Sequence, residues 1–490
     1  MKQNKLIYNL KYALIAQSVA SGFSILMYLL VPKVMFTDSY GYWQLFLLYT
    51  NYSGFFHLGL VDGIYLKLGG MDYAHLNKKL IGSQFKLMTG IHILFGLFIF
   101  QFVMNANITM ERKFVILSFS IYMVLYCIQN YIGFVFQAVN ETSIYSKAVI
   151  IEKSISLIGT IILILNKQCD FRYYIILSVI SIGINSMFLI IKSWAILRTG
   201  LCKLREVLIE AKDNISVGSI LMFSGIASTF LIGSGRMIVD HTWGIEAFGK
   251  LSFAISMINM LLLFIRQVSV VLFPALRKME DEDKRIIYIK IMKSLSVTLP
   301  LVYFAFVPIK LILTVWLPQY TDSIRYLTLL LPICLYDSKM QMVFSTYLKV
   351  MRKEKKLLFI NVASLIIGIC LCFIAVIIFK SIIFVAIATV IGIAIRSIFS
   401  ELLLNKILNV KEWNTRNELI FELVFSVSFM FLTWYYDEWI MLSILVVFYA
   451  MYLSIYQEKK QILVESIKIV KSLIHRENKL SREKDSELKV

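Results

Sequence analysis

The sequence has 490 residues, of which 59% are hydrophobic and only 17% charged, and its formal net charge is +19 at pH 7. A soluble chain of this length would divide into two or three domains and would carry far more surface charge, so this composition excludes an ordinary soluble protein. Apolar stretches of about 20 residues recur along nearly the whole chain, and each is long enough to cross a bilayer core as a helix. We therefore predict an all-α polytopic membrane protein.

Hydropathy predicts about fourteen transmembrane helices. In chain order they lie near residues 12–32, 42–66, 81–104, 114–137, 147–165, 173–191, 214–239, 249–273, 288–313, 326–348, 357–379, 381–404, 417–436 and 439–456. With the N-terminus inside, the loops that are rich in Lys and Arg all fall on one side, as the positive-inside rule requires. The positive charge is thus explained by the membrane topology and does not indicate nucleic acid as a partner. Because no cleavage pattern follows the first span, we expect an uncleaved signal anchor with both termini in the cytoplasm.

An internal repeat divides the chain. A shift of 208 residues, the separation of Gly41 from Gly249, also brings Phe136 onto Phe344. Six helices precede each repetition, so both halves enter the membrane from the same side, which gives the parallel repeats found in transporters. We predict an N-terminal six-helix bundle, a C-terminal six-helix bundle, two additional transmembrane helices and a basic cytoplasmic tail, at residues 1–205, 206–412, 413–456 and 457–490.

Several predicted spans carry polar residues along one helical face, which turns that face away from lipid. Examples are Ser252, Ser256, Asn259, Arg266 and Ser269 in the eighth span, Asp337, Gln341 and Ser345 in the tenth, Thr389, Arg396 and Ser400 in the twelfth, Gln17, Ser21 and Ser24 in the first, and Tyr122, Tyr126 and Asn130 in the fourth. A single Ser or Asn is more often a contact between helices than a site. Arg266, Arg396 and Asp337 lie too deep in their spans for easy snorkelling. The stripes together predict a hydrated central cavity with mainly positive charge.

Other charged residues have simpler explanations. Glu152, Glu401 and Glu422 lie near the predicted cytoplasmic ends of their spans, and we expect them to snorkel towards the headgroups. Lys339 is two residues from Asp337 and hence on nearly the opposite helix face, where it faces either the cavity or a neighbouring helix.

Two more positions stand near the membrane surfaces. Arg236, in LIGSGRMIVD (231–240), is predicted near the outer end of the seventh span, with Asp240 on the same face, and snorkelling alone would explain it. Asp62, in GLVDG (59–63), is predicted towards the inner end of the second span, where it could cap a helix, form a pair or act in gating.

No motif for catalysis, nucleotide binding or metal binding occurs. GxxxxGK[ST], HExxH and GxSxG are all missing from the sequence, the five histidines are scattered, and the six cysteines form no CxxC. We therefore predict neither an enzyme nor a metal site, and expect a protein that binds and moves its substrate.

Six segments of the chain resemble those of a known family. Its segments YGYWQLF (40–46), FFHLGLVDGIYLK (55–67), GRMIVDHTWGIEAFGKLSFA (235–254), FPAL (273–276), VWLPQY (315–320) and FSTYLKVMRKEKKLL (344–358) are similar to those of the polysaccharide flippases, O-antigen and capsule type, of the multidrug/oligosaccharidyl-lipid/polysaccharide exporter superfamily. One departure is Gly235, where the family often has an acidic residue before the arginine. The resemblance implies two six-helix bundles in a V around a cavity that opens alternately to each side of the bacterial plasma membrane.

The resemblance also implies the cargo, an undecaprenyl-pyrophosphate-linked oligosaccharide whose lipid tail stays in the bilayer. Arginine binds phosphate oxygens bidentately, so the candidate phosphate or acidic-sugar contacts are Arg266 and Arg396, with Arg236 nearer the outer mouth. Candidate cavity contacts to the sugar are Asn259, Gln341, Gln17 and Asn130. Candidates for coupling to Na⁺ or H⁺ are Asp62, Asp337 and Asp240; no other cofactor is expected. Membrane lipids, a polysaccharide polymerase and assembly proteins are the further candidate partners.

Two alternatives remain open. A drug/cation antiporter of the same superfamily would typically have twelve spans and acidic groups for cationic drugs. A membrane glycosyltransferase or polysaccharide polymerase would normally need a large external domain, whereas the predicted outer loops are short.

Overall fold

The fold consists of helices and their connections. The structure is a computed structural model that describes residues 2–277, 279–410, 415–455 and 459–464; at several positions, Arg266 among them, it describes the backbone without the side chain. No strand occurs in the described residues. The predicted all-α class is confirmed. Below, "inner" and "outer" follow the orientation predicted from the charges of the loops.

The helices follow one another with short connections. The first half contains α1 (Lys2–Val34), α2 (Thr37–Thr50), α3 (Leu60–Leu68), α4 (Lys78–Asn105), α5 (Met110–Ala138), α6 (Thr142–Leu165), α7 (Phe171–Lys192) and α8 (Trp194–Leu197). The second half and the helices after it are α9 (Leu204–Arg277), α10 (Asp281–Thr298), α11 (Phe306–Trp316), α12 (Thr321–Leu330), α13 (Pro332–Lys339), α14 (Ser345–Val350), α15 (Glu354–Ile374), α16 (Ile382–Ile407), α17 (Thr415–Tyr435) and α18 (Glu438–Ile455).

Eleven helical segments of the described residues are long and apolar enough to cross a membrane. One of them, Leu204–Leu263, is 60 residues long and contains the predicted seventh span and most of the eighth. The predicted second and tenth spans are divided into short helices, which explains why they are not among the eleven. Each of the fourteen predicted segments is therefore helical, and the chain is a multi-pass membrane protein.

The second span is broken in its middle. After α2 the chain forms a short 3₁₀ helix, Ser53–His57, and then two residues with left-handed backbone, Leu58 at φ 52° and Gly59 at φ 85°, before α3 begins. Glycine has no Cβ and adopts this conformation without steric strain. The ring Nδ1 of His57 accepts a hydrogen bond from the Gly59 amide at 3.2 Å, which satisfies one of the backbone groups that the break leaves without a helical partner. Discontinuous transmembrane helices of this kind are common at transporter binding sites.

Helix α9 reverses direction at a single residue. Its only non-helical residue is Gly244, with φ 84° and ψ −177°, so the seventh and eighth spans join without a separate loop. Because this φ is strained for residues with a Cβ, glycine allows the tight reversal.

The two halves contact each other through glycines. At the outer end, a Cβ built on Gly41 of α2 would lie 2.5 Å from the carbonyl oxygen of Ile245 in α9, so a larger side chain does not fit. At the inner end, α3 lies against the start of α9: a Cβ on Gly218 would lie 2.0 Å from the carbonyl oxygen of Gly59 and 2.4 Å from the amide nitrogen of Gly63. Small residues allow helix backbones to approach this closely in membranes.

Ion pairs reinforce the contact between α9 and the first half. Near the inner end Lys67 of α3 pairs with Glu210, and near the outer end Arg112 of α5 pairs with Asp240. The arm of α9 before Gly244 is thus held to the first half at both ends. The domain boundaries at residues 205 and 412 stay predictions.

We predict that Gly218→Val destabilises the contact between α3 and α9. Its Cβ meets backbone atoms that cannot move aside, and overpacking of this kind costs about 1–3 kcal/mol. The matched control is Gly225→Val, on the same helix, because nothing lies within 4 Å of a Cβ at that position. Thermal unfolding of the two purified variants in detergent should show a lower midpoint for Gly218→Val alone; equal midpoints would contradict the close packing.

Candidate functional site

The polar residues nearest the outer contact between the halves surround Arg236. This residue lies two turns before Gly244, and its side chain is only 7% exposed, so the expectation that it snorkels to the surface is wrong. Its Nε donates a hydrogen bond to Ser252 Oγ at 3.0 Å, and one terminal nitrogen donates to Gln44 Oε1 at 3.1 Å. The guanidinium also lies 5.1 Å from the ring centre of Phe248, within cation–π range.

A hydrogen-bond network extends from this arginine across the two halves. Gln44 Nε2 donates to the Tyr40 hydroxyl at 2.7 Å and to Ser256 Oγ at 3.2 Å. Ser256 in turn donates to the carbonyl oxygen of Ser252 at 2.9 Å. We call Arg236, Gln44, Tyr40, Ser252 and Ser256 the Arg236 cluster. All the hydrogen-bond acceptors that the described residues present to Arg236 are neutral, so its charge has no carboxylate partner there.

Asp240 does not neutralise Arg236, although the sequence places the two on one helix face. Both carboxylate oxygens of Asp240 accept hydrogen bonds from Arg112 of α5, at 2.6 and 2.7 Å. The partner of Asp240 is thus on another helix, 128 residues earlier in the sequence.

Arg396 and Asp337 form a buried ion pair in the second half. Their side chains are 0% and 1% exposed, and one terminal nitrogen of Arg396 bonds to Asp337 Oδ1. The other terminal nitrogen donates to the hydroxyl and the carbonyl oxygen of Ser228 in α9, at 2.6 and 3.1 Å. From the sequence alone, these two residues were predicted to have separate roles, Arg396 as a phosphate contact and Asp337 as an ion-coupling group. The structure shows that each satisfies the charge of the other.

A second buried charge group lies on the opposite face of α13. Lys339 Nζ lies 3.5 Å from a carboxylate oxygen of Glu401 on α16 and also bonds to Glu422 on α17. All three side chains are about 1% exposed. The expectation that Glu401 and Glu422 snorkel is therefore wrong, and Lys339 faces neighbouring helices.

The first half contains a buried carboxylate, Glu152, which was expected to reach the membrane surface. Helix α6 begins at Thr142, five residues before the predicted start, which places Glu152 about 15 Å along the helix. Glu152 accepts hydrogen bonds from Asn185 Nδ2 at 2.6 Å and from Gln129 Nε2 at 3.2 Å, and Lys153 Nζ lies 2.6 Å away. The expectation that Glu152 snorkels towards the headgroups is therefore also wrong. An intramembrane carboxylate is a functional candidate by default, and that signal was present in the sequence.

The four candidate amide residues lie on four different helical segments and differ in exposure. Gln17 on α1 is exposed, Asn130 on α5 is buried, and Asn259 on α9 is half-buried. Gln341 lies within a π-helical turn, Met340–Phe344, and its carbonyl oxygen accepts from Ser269 Oγ at 3.0 Å. π-Turns often occur at functional sites. The Arg266 side chain lies outside the described residues.

Asp62 lies beside the break in the second span. It is the one candidate coupling residue of the three that has no Arg or Lys within 4 Å among the described residues. His57 Nδ1 lies 3.9 Å from Asp62 Oδ2. Its side chain is 25% exposed. Lys349, in the second half, is close enough to act on Asp62 electrostatically. Asp62 therefore lies where the two halves meet on the inner side.

Solved structures of transporters share this fold. The chain is similar to the lipid II flippase MurJ in an inward closed conformation, with TM-score 0.64 and 14% identity over 92% of this chain and 99% of that one. It is also similar to an inward-facing multidrug resistance MATE family transporter of the MOP superfamily, with TM-score 0.60 and 13% identity over 82% and 98% of the two chains. A MOP superfamily transporter from Pyrococcus furiosus matches with TM-score 0.50 and 12% identity over 83% and 95%.

Comparisons at the level of sequence found no match. No protein-family model matches the chain, and no curated protein matches it. Because the sequence identities to the solved structures are low, the structural likeness establishes only the fold, which is that of MATE and MurJ transporters.

We predict that Asp337→Asn lowers the free energy of unfolding by about 3–5 kcal/mol, because it leaves Arg396 buried without a counter-charge. The control Asp322→Asn removes a carboxylate that is 74% exposed and pairs with Lys250, and exposed pairs contribute about 0–1 kcal/mol. Denaturation of the purified variants would measure both effects. The double variant Asp337→Asn/Arg396→Gln should recover part of the loss, and failure of the single variant to destabilise would contradict the pairing.

Proposed function

We propose that this protein is a flippase that moves undecaprenyl-pyrophosphate-linked oligosaccharide across the bacterial plasma membrane by alternating access, for the synthesis of a surface polysaccharide such as O-antigen, capsule or exopolysaccharide. The observation that carries the proposal is Arg236, a buried cation at the junction of the two halves whose hydrogen-bond partners among the described residues are all neutral. Both termini would be cytoplasmic, and a polysaccharide polymerase and assembly proteins would take the product onward.

A diphosphate supplies what the Arg236 cluster lacks. A buried cation without a counter-charge is costly, and an anion that enters beside it removes that penalty. Arginine presents a planar pair of donors that matches two phosphate oxygens. Sugar hydroxyls lose their hydrogen bonds to water when they enter the membrane, and the amide of Gln44 and the hydroxyls of Tyr40 and Ser256 offer replacements.

Alternating access gives the cluster two states. Gln44 lies in the predicted first half and Arg236 in the predicted second half, so their hydrogen bonds would close the outer end. When the outer ends separate, α2 would carry Gln44 away and the terminal nitrogen of Arg236 would be available to a phosphate oxygen. Two further hydrogen bonds support closure on this side: Trp316 Nε1 donates to the carbonyl oxygen of Leu29 at 3.1 Å, and Gln319 donates to that of Pro32 at 2.8 Å.

Two observations favour a lipid-linked cargo over the alternative, a drug/cation antiporter. The likeness to the lipid II flippase extends over 92% of this chain, compared with 82% for the inward-facing MATE transporter, and so leaves less of the chain unmatched. An organic cation would want free acidic groups, whereas Asp240 and Asp337 are both bonded to arginines.

The test is translocation of a fluorescent undecaprenyl-pyrophosphate-linked oligosaccharide in proteoliposomes. Arg236→Gln should lower the rate about 10- to 100-fold, because a charge-assisted hydrogen bond contributes about 1.5–3 kcal/mol. The translocation rate of Arg236→Lys should lie between those of the wild type and Arg236→Gln, because lysine keeps the positive charge but lacks the planar pair of donors. The control Arg277→Gln removes an exposed cation at the end of the same helix and should leave the rate unchanged.

The same liposomes distinguish the two candidate functions. Efflux of an organic cation without movement of the lipid-linked oligosaccharide would overturn the flippase proposal. Unchanged lipid translocation in a well-expressed Arg236→Gln variant would remove this arginine from the mechanism.

We further propose that Asp62 couples the cycle to an ion gradient, because it lies at the inner contact between the halves without an Arg or Lys within 4 Å among the described residues. Asp62→Asn should reduce translocation under an imposed Na⁺ or H⁺ gradient to the rate seen without one. Asp72→Asn, in the exposed loop after α3, is the control. Gradient-dependent transport that persists in Asp62→Asn would exclude this role.

A further inference from the structure

An open groove runs along the surface between α15 and the arm of α9 before Gly244. Its volume is about 710 Å³, and every side chain that lines it is apolar except Lys355. Phe359, in its wall, is 75% exposed, as suits a surface that faces hydrocarbon. The lining covers residues 220–230 of α9 and 355–365 of α15, about 15 Å along each helix. This is half of the ~30 Å bilayer core, so the groove has the length of one leaflet.

The inner end of the groove is basic. Lys355 is the second residue of α15, and its side chain is exposed. Three further exposed cations flank it in sequence: Arg352, Lys353 and Lys356. None of the four forms an ion pair within 4 Å among the described residues, and Glu354, the acidic residue between them, acts electrostatically on Lys349. The positive-inside rule explains basic charge at this level, but it does not explain an open groove beside it.

In the first half, a lysine near the start of α6 is covered by aromatic rings. Lys147 donates a hydrogen bond to the Tyr8 hydroxyl of α1 at 3.0 Å. Its ammonium also lies 5.4 Å from the ring centre of Tyr8 and 4.7 Å from that of Tyr12, within cation–π range. Helix α1 thus provides partners for this cation and places two rings beside it.

The second half lacks these rings. The shift of 208 residues matches Lys355 to Lys147. At the two positions of the tyrosines, α9 carries Ser216 and Ile220 instead. Serine and isoleucine offer no aromatic face to an ammonium group and fill less volume than two tyrosines. The cation is therefore left exposed and the space beside it open.

The groove fits a ligand with an apolar chain and an anionic head. Its apolar walls match a chain that extends through one leaflet, and its cations lie at the level of the inner headgroups. The inner leaflet contains anionic phospholipids, which Lys and Arg near that surface attract, and basic pockets between transmembrane helices on this side are a known type of lipid site. A phospholipid is also a bulk component of the membrane, so it is always present at the groove.

We propose that the groove between α9 and α15 binds one anionic phospholipid of the inner leaflet, with an acyl chain along the groove and its phosphate on Lys355. The bound lipid takes the place that two tyrosines of α1 occupy in the first half. The same stretch of α9 carries Gly218, which contacts α3, and Ser224, which accepts hydrogen bonds from Asn361 of α15. The lipid therefore supports the inner arm of α9. The site shares no residue with the Arg236 cluster, and the inference is independent of the cargo.

Native mass spectrometry of the purified full chain tests this proposal, since it resolves individual bound lipids. The wild type should bind one dioleoyl phosphatidylglycerol about ten times more tightly than dioleoyl phosphatidylcholine, which has the same acyl chains. Lys355→Gln should weaken phosphatidylglycerol binding about fivefold, which corresponds to about 1 kcal/mol for one basic residue. The matched control Lys406→Gln removes an exposed cation at the inner end of α16, outside the groove, and should leave the affinity unchanged.

A second variant copies the first half into the second. Ser216→Tyr/Ile220→Tyr gives α9 the two tyrosines of α1, whose rings should cover Lys355 and fill the inner end of the groove. Tight phosphatidylglycerol binding should then be lost, while the thermal unfolding midpoint in detergent stays at or above that of the wild type. If this variant does not fold, Lys355→Gln still decides, because its side chain is exposed.

Three results would overturn the proposal. Equal affinity for the two phospholipids would show that any lipid fills the groove. Unchanged phosphatidylglycerol binding in Lys355→Gln would show that the headgroup lies elsewhere. Tighter binding of undecaprenyl phosphate than of phosphatidylglycerol would assign the groove to the lipid of the cargo.

Discussion

The high cost of an unmatched charge in hydrocarbon constrains how these helices pack. A buried ion pair contributes little net stability, but removing one partner is severely destabilising, so each buried charge requires its partner helix to stay in place. Arg396 ties α16 to Asp337 on α13, and Lys339 ties the opposite face of α13 to α16 and α17. Helix α13 is therefore fixed on both faces by charge. The π-turn at Met340–Phe344 follows directly, which gives the chain a local irregularity next to its most constrained segment.

The sequence predicted the helices because they depend on local patterns of hydropathy, whereas the repeat stays a prediction. Gly41 and Gly249, matched by the shift of 208 residues, are neighbours in the structure: a Cβ on Gly249 would lie 3.1 Å from the Cα of Gly41. Charge partners could not be predicted in this way, because Asp240 has a closer arginine in sequence than the one it binds. The depth of Glu152 was missed because polar residues at the start of α6 are helical but not apolar, so hydropathy set the span's beginning too late.

The repeat does not extend to the irregular segments. Under the shift of 208 residues, Leu58 at the break of the second span corresponds to Arg266, where the backbone of α9 continues as a helix. Asp62 likewise corresponds to Val270. The break and its carboxylate are thus features of the first half alone.

The single-residue reversal at Gly244 has a geometric consequence for the arginine beside it. Arg236 lies eight residues before Gly244 and Ser252 eight residues after it, so the two face each other across the hairpin at equal distances from its tip. Their hydrogen bond is internal to one helical hairpin and does not involve any residue of the first half. The bond from Arg236 to Gln44, in contrast, joins this hairpin to α2. The hairpin alone is therefore enough to orient the guanidinium, so a second ligand would meet a donor that is already oriented.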